Sequence, residues 1–139
     1  MIFTDAAQTF AFTVYLNDHT TVEKGSTVKF DGIISNVGNH YNPVTGHFTC
    51  PQTGVYAFSL NIMSHNFKQA YVHLVKEGQT INLALANNPW EKGLHIHSAS
   101  FAALQCQTAL RMWVEGYQIQ SVIYGHKFST FSGHFLGKQ

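Results

Sequence analysis

The 139-residue sequence predicts an all-β sandwich folded as one domain. Hydrophobic residues make up 45% of it and aromatics 14%, including eleven Phe and six Tyr, against 11% charged residues. That balance excludes disorder and suits pleated surfaces on which aromatic rings pack. Apolar residues recur at every second position in several short runs separated by turn residues. No stretch sustains a 3.6-residue apolar period between a cap and a stop, so no helix is expected. At this length a single core hides about two-thirds of the unfolded surface.

Within residues 9–16, Phe10, Phe12, Val14 and Leu16 fall on one side and Ala11, Thr13 and Tyr15 on the other, the period of a strand. Over 26–35, Val28 and Phe30 alternate before a break at Asp31-Gly32, as expected of a strand bent or bulged at the glycine. The turn-rich Asn42-Pro43-Val44-Thr45-Gly46 precedes the strongest alternation, Tyr56, Phe58, Leu60 and Ile62, introduced by Gly54. Further strands are expected over 69–76, 80–86, 98–105, 109–114, 118–124 and 128–136. Asn87-Asn88-Pro89-Trp90-Glu91-Lys92-Gly93 reads as a loop, since proline cannot serve a central ladder.

Eight basic residues against seven acidic ones give a formal charge of +1. Without a run of Lys or Arg there is no electrostatic stripe for phosphate-rich partners, so nucleic acid is not an expected ligand. No apolar stretch reaches the roughly 20 residues that cross a bilayer, so no membrane insertion is expected, and residues 1–8 lack the basic and apolar parts of a signal peptide. Cys50 and Cys106 are compatible with one disulfide, two free thiols or an intermolecular link. There is no Asn-x-Ser/Thr sequon and no Gly-X-Y tract.

Phe30, Asn36, Tyr41, Phe48, Gly54, Tyr56 and Phe58 have the spacing of a known signature, with Leu60 where an aromatic is usual. Together with Ala11-Phe12-Thr13-Val14 near the start and Ser129-Thr130-Phe131-Ser132-Gly133 near the end, they resemble the globular domain of complement C1q. The sequence departs from that pattern at Gln107-Thr108, where many members carry a Gly-Asp turn. The resemblance implies a ten-stranded jelly-roll sandwich, related in architecture to tumour necrosis factor, over residues 9–139, with 1–8 as an N-terminal extension. It also implies assembly as a homotrimer and a secreted, extracellular location. Surplus aromatics on the strands make Phe10, Phe12, Tyr56, Phe58 and Phe131 the candidates for a partner interface.

Nine histidines raise the question of a metal. His95-x-His97 places two imidazoles on one face of an extended strand, but zinc needs further ligands, for which His73, His126 and Cys106 are the candidates to inspect. No metal site is assigned on that spacing. Calcium, bound by some members of the resembled family, needs several oxygen ligands, whereas the carboxylates here, Asp18, Asp31 and Glu91 among them, are scattered. No cofactor is expected. Neither an activated nucleophile nor a pair of catalytic carboxylates is legible, and Cys50 belongs to the family's strand-end pattern, so no enzyme is expected.

Binding is therefore the expected work, carried by loops on a rigid scaffold. A saccharide site wants an apolar plate for the C–H face of a sugar and planar polar groups for its hydroxyls. Trp90 with Asn87, Asn88, Glu91 and His95 forms the first candidate, against the plain alternative that Trp90 covers a sheet edge and the asparagines make turns. Tyr124, His126 and Lys127 form the second, and Asn66, Phe67 and Lys68 a third. Because the chain lacks a collagen stalk, it resembles the stand-alone, lectin-like members of the family found in invertebrate innate immunity. Multivalent binding of glycans or microbial surface saccharides is the leading expectation. A signalling ligand for a protein receptor, or a chiefly structural trimer, are the competing ones.

Overall fold

The computed structural model describes residues 9–88 and 95–138. The strands are β1 (Ala11–Tyr15), β2 (Thr20–Val22), β3 (Gly32–Val37), β4 (Tyr41–Asn42), β5 (His47–Thr49), β6 (Gly54–Met63), β7 (Gln69–Lys76), β8 (Gln79–Asn87), β9 (His97–Cys106), β10 (Arg111–Gly116), β11 (Ser121–Ile123) and β12 (Thr130–Lys138). Two five-stranded sheets, ordered β3-β1-β12-β6-β9 and β4-β5-β10-β7-β8, supply the ten strands of the jelly roll, and β11 and β2 add a short ribbon. Every strand pairing is antiparallel. Among the described residues there is no helix.

Alternation places the inward residues. Phe12 and Val14 of β1, Tyr56, Phe58, Leu60 and Ile62 of β6 and Phe131 of β12 meet Tyr41, Phe48, Val72, Leu74, Met112 and Val114 from the second sheet. The Phe12 ring lies 4.7 Å from that of Phe48 and 4.9 Å from that of Phe131. These offset and edge-on contacts add to area burial. Gly133, opposite Phe58 in the ladder, is what lets these rings close. A Cβ there would stand 2.6 Å from the Phe12 ring and 2.7 Å from that of Phe58.

The five side chains expected at a partner interface are corrected by this packing. Phe10, Phe12, Tyr56, Phe58 and Phe131 are all buried inside the single protomer, none more than 9% exposed. Burying each ring in its own core is worth roughly 2–3 kcal/mol, and leaves none of these five rings for a second copy. The alternation was read correctly, but it reports the intramolecular core.

The signature residues are structural too. Asn36 clamps Tyr41 in both directions, donating through Nδ2 to its carbonyl at 2.8 Å and accepting its N–H at Oδ1 at 3.1 Å. The Tyr41 hydroxyl donates to the Phe30 carbonyl at 2.8 Å. Cys50 and Cys106 form a disulfide that ties the strand end after β5 to the end of β9, joining the two sheets. The unusual Gln107-Thr108 turn closes without glycine. Ala109 adopts a φ of 74°, while Thr108 bonds Thr53 and the Ala109 N–H donates to the Cys50 carbonyl at 2.8 Å.

Candidate functional site

Four connections converge at one end of the sandwich: residues 16–19, 64–68, 124–129, and Asn88 with His95 and Ile96. Backbone bonds lace them together. Ser64 N–H donates to the Ile96 carbonyl at 2.9 Å, Asn88 N–H to that of Lys68 at 3.1 Å and Tyr124 N–H to that of Met63 at 2.8 Å. His126 N–H donates to the Asn17 carbonyl at 3.1 Å. The buried Ser129 hydroxyl donates to the Tyr124 carbonyl at 2.7 Å and accepts the Met63 N–H at 3.0 Å. Phe67, His126 and Lys127, all at this end, hold left-handed φ values of 59°, 55° and 71°, a conformation that non-glycine residues keep only where the surroundings impose it.

Tyr124 is the hub. Its ring centroid lies 4.2 Å from His19, 4.6 Å from His95, 5.5 Å from His65, 6.3 Å from His126 and 5.3 Å from Phe128. The His19 ring in turn lies 4.6 Å from His65 and 4.9 Å from His126. His19 Nδ1 accepts the Gly125 N–H at 2.9 Å, which puts the neutral ring's proton on Nε2. Burial, followed by the neighbouring His65 and His126, holds the His19 pKa below the usual histidine range, with Asp18 opposing and His95 adding to the shift. An aromatic plate rimmed by imidazoles that can donate or accept suits a ligand with alternating C–H and hydroxyl faces.

The second expected cluster thus supplies Tyr124 and His126, and the third lies at the same end with Phe67 exposed. Lys127 turns aside, its ammonium 5.2 Å from the centre of the Tyr15 ring. Of the first cluster, His95 reaches Tyr124. Asn87 is the exposed last residue of β8 and Asn88 is buried, while Trp90 and Glu91 lie outside the described residues. His19 and His65 were not singled out in the sequence. Nothing in their spacing joins them to residues 95–126, because the fold alone brings four distant connections together.

The zinc candidates part company. His97 opens β9 on its exposed face, whereas His95 precedes the strand and packs on Tyr124. Cys106 is in the disulfide. His73 belongs to a polar rung across three strands: its Nδ1 meets Thr80 Oγ1 at 2.8 Å and its Nε2 meets Glu115 Oε1 at 2.9 Å. Trp113 Nε1 donates to the other Glu115 oxygen at 2.9 Å. Among the described residues no three His, Cys, Asp or Glu side chains are grouped to hold a metal ion. The rung borders a hollow of about 210 Å³ whose lining includes Lys24, His73, Glu115 and Tyr117, a concavity that sequence patterning does not reveal.

The outward face of the first sheet carries small side chains, Thr13, Ala57, Ser59, Ala99, Ala103 and Ser132, beside Phe101, which is 64% exposed. Leu83 and Leu85 lie on the exposed side of β8, the edge strand of the second sheet. Asn82 Nδ2 donates to the Phe101 carbonyl at 3.1 Å, and Leu85 N–H to Ser98 Oγ at 3.2 Å, closing the seam between the sheets there.

Two antiparallel five-stranded sheets around one aromatic core, with laced loops at one end, define a globular jelly-roll head domain. The C1q domain family model matches residues 11–136, and the chain belongs to that family. Mouse complement C1q tumor necrosis factor-related protein 6 is 33% identical over 112 residues, covering 77% of this chain and 41% of the relative. Human complement C1q tumor necrosis factor-related protein 3 is 29% identical over 129 residues, covering 91% and 50%. The chain therefore spans half or less of these relatives. Among solved structures, the globular domain of zebrafish complement 1qA superposes with a TM-score of 0.78 at 20% identity, covering 94% of this chain and 99% of that one. Eiger TNF from S. frugiperda does so with 0.75 at 14%, covering 96% of each.

Proposed function

We propose that this protein is an extracellular recognition protein of the lectin type, binding glycans or microbial surface saccharides through the loop end and acting as a multivalent homotrimer. The convergence of His19, His65, His95 and His126 on Tyr124 carries the reading. It offers a partly exposed aromatic plate with several hydrogen-bonding groups around it, on loops fixed to a rigid scaffold. The Cys50–Cys106 disulfide suits an oxidising compartment outside the cytosol. The Phe101 face gives an oligomer an apolar contact surface, and linking weak sites raises avidity without strengthening any single contact.

A second reading is a signalling ligand for a protein receptor. It is favoured by the relatives named as C1q tumor necrosis factor-related proteins and by the likeness to Eiger TNF. A glycan array on the size-checked protein, with hapten-sugar competition, separates the two. Hapten-inhibited binding that Tyr124→Ala weakens at least tenfold supports the saccharide reading. Sugar-insensitive capture of a receptor ectodomain supports the signalling one, and a folded oligomer that retains neither ligand points to a structural role.

A further inference from the structure

We infer that the hollow beside Glu115, on the outward face of the second sheet, is a binding site for one uncharged sugar ring. It is separate from the loop end and does not rest on the saccharide reading made there.

The polar rung supplies a fixed acceptor. His73 of β7 and Glu115 of β10 are paired directly across the ladder and face away from the core, because Val72, Leu74, Met112 and Val114 are the inward residues. His73 is nonetheless only 7% exposed and is held at both ring nitrogens. A carboxylate only accepts, so His73 Nε2 and Trp113 Nε1 both donate to Glu115, one to each oxygen. Each oxygen keeps a further lone pair, and the carboxylate is set in place before any ligand arrives. Two adjacent acceptor oxygens held in this way match two neighbouring hydroxyls of a sugar.

The walls supply the rest. The partly exposed Tyr117 ring lies 4.9 Å from that of Tyr71 and 4.8 Å from that of His73, edge-on to both, a packed plate for the C–H face of a pyranose. Gln118, the next lining residue, holds a left-handed φ of 64°, and the Ile119 N–H closes the turn on the Tyr117 carbonyl at 2.7 Å. Strain of that kind gathers where a side chain must be positioned. Lys24 and Gly25 form a further wall, pinned to β10 by the Gly25 N–H on the Gly116 carbonyl at 2.9 Å and the Gly116 N–H on the Ser26 carbonyl at 3.0 Å. The exposed Lys24 is in no ion pair among the described residues, so its ammonium is left to donate.

Charge and size select the ligand. Lys24 and Glu115 bring one fixed charge of each sign to the lining, which favours neither anion nor cation and leaves recognition to hydrogen bonds and ring stacking. A volume of about 210 Å³ falls below the roughly 300–1,000 Å³ that houses a drug-sized ligand, and suits a single ring. An uncharged pyranose, with C–H faces and a hydroxylated edge, answers both the plate and the acceptor.

The test follows the Trp113 indole N–H, which donates to Glu115, in proton–nitrogen correlation spectra of the whole chain, its peak assigned by its loss in Trp113→Phe. The probes are the methyl glycosides of glucose, galactose and mannose, with glucuronate and glucosamine as charged counterparts. The expected result is a saturable shift of that peak, together with those of Gly25 and Gly116, by at least one neutral glycoside, with an affinity that added salt does not change. Glu115→Gln is expected to weaken it at least tenfold by removing a charged acceptor, and Lys24→Ala, at an exposed position, about threefold. The control His134→Gln, exposed on β12, keeps the wild-type affinity, all three with wild-type circular dichroism. No shift with any neutral glycoside, or an affinity that both Glu115→Gln and Lys24→Ala leave unchanged, overturns the inference. Tighter binding of glucuronate or glucosamine overturns the uncharged class, and a shift that Tyr124→Ala abolishes belongs to the loop end and overturns it as well. Failure here beside array binding that Tyr124→Ala weakens leaves the loop-end reading standing, so the two are separable.

Discussion

Gly125 donates its backbone N–H to Nδ1 of His19 at 2.9 Å, joining two connections 106 residues apart in the chain. The glycine is required at that place, since a Cβ on it would stand 2.7 Å from the backbone nitrogen of His19 and collide with the Asp18 carbonyl. Gly125→Ala is expected to destabilise the protein by about 1–3 kcal/mol through overpacking, read as a lowered urea midpoint with unchanged slope. A midpoint equal to that of the wild type would show that the two connections are not seated against each other.

His19 also carries a pH dependence. The His19 pKa is depressed in the folded protein, first by burial and then by His65 and His126, so the unfolded chain binds the proton more readily. Its contribution is present above the unfolded value of about 6.5 and is lost as pH falls through the folded one. The variant His19→Gln keeps an acceptor but does not titrate. Its melting temperature should fall less than that of the wild type between pH 7.5 and 5, and an equal fall would assign the acid sensitivity to other groups.

Tyr41 provides the opposite sign at the alkaline end. Burial raises its phenol pKa well above the ordinary value, and its hydroxyl donates to the Phe30 carbonyl. The unfolded chain ionises this phenol near pH 10, so stability is lost as pH rises above that point. In an ultraviolet titration the buried Tyr41 and Tyr56, both raised by burial, should ionise last, and Tyr41→Phe should cut the amplitude of that late transition by one phenol. The variant also leaves the buried Phe30 carbonyl without its phenol donor, at a cost of about 1–3 kcal/mol.

The disulfide closes a sequence separation of 56 residues. By loop entropy it is worth about 4 kcal/mol, which for a domain of this size corresponds to roughly 10–20 °C in Tm. Cys50→Ala/Cys106→Ala is expected to show that loss in calorimetry without reducing agent. A drop of only a degree or two would mean that the aromatic core alone fixes the two sheets.

What the sequence revealed was local. Phe12, Tyr56 and Phe58 betray their strands by alternation because the buried face repeats every second residue. Strand β5, three residues from His47 to Thr49, and β2, from Thr20 to Val22, are too short to show a period, and were missed. Alternation also cannot say whether an inward ring meets its own core or a neighbouring copy, which is why Phe131 was assigned to an interface although it is fully buried. Tyr124 and His126 were legible as ligand candidates ahead of the last strand. Their union with His19, His65 and His95 was not, because ring contacts at 4–6 Å arise from long-range closure and leave no mark in spacing.

Phe101 offers the direct test of assembly. It is 64% exposed on β9, among the small side chains of the first sheet's outer face. Small residues allow close approach of a second surface, and an exposed ring beside them has the makeup of an interface anchor. Placing a charge there should oppose burial without touching the core. Phe101→Arg is expected to raise the self-association constant for dissociation at least tenfold, seen by light scattering as a shift towards monomer. The control Val44→Arg, at a residue 75% exposed in the β4–β5 turn, should leave the mass unchanged. If both variants keep the wild-type mass, the Phe101 face is not the contact, and the exposed apolar side chains of β3, Ile33 and Ile34, become the next surface to charge.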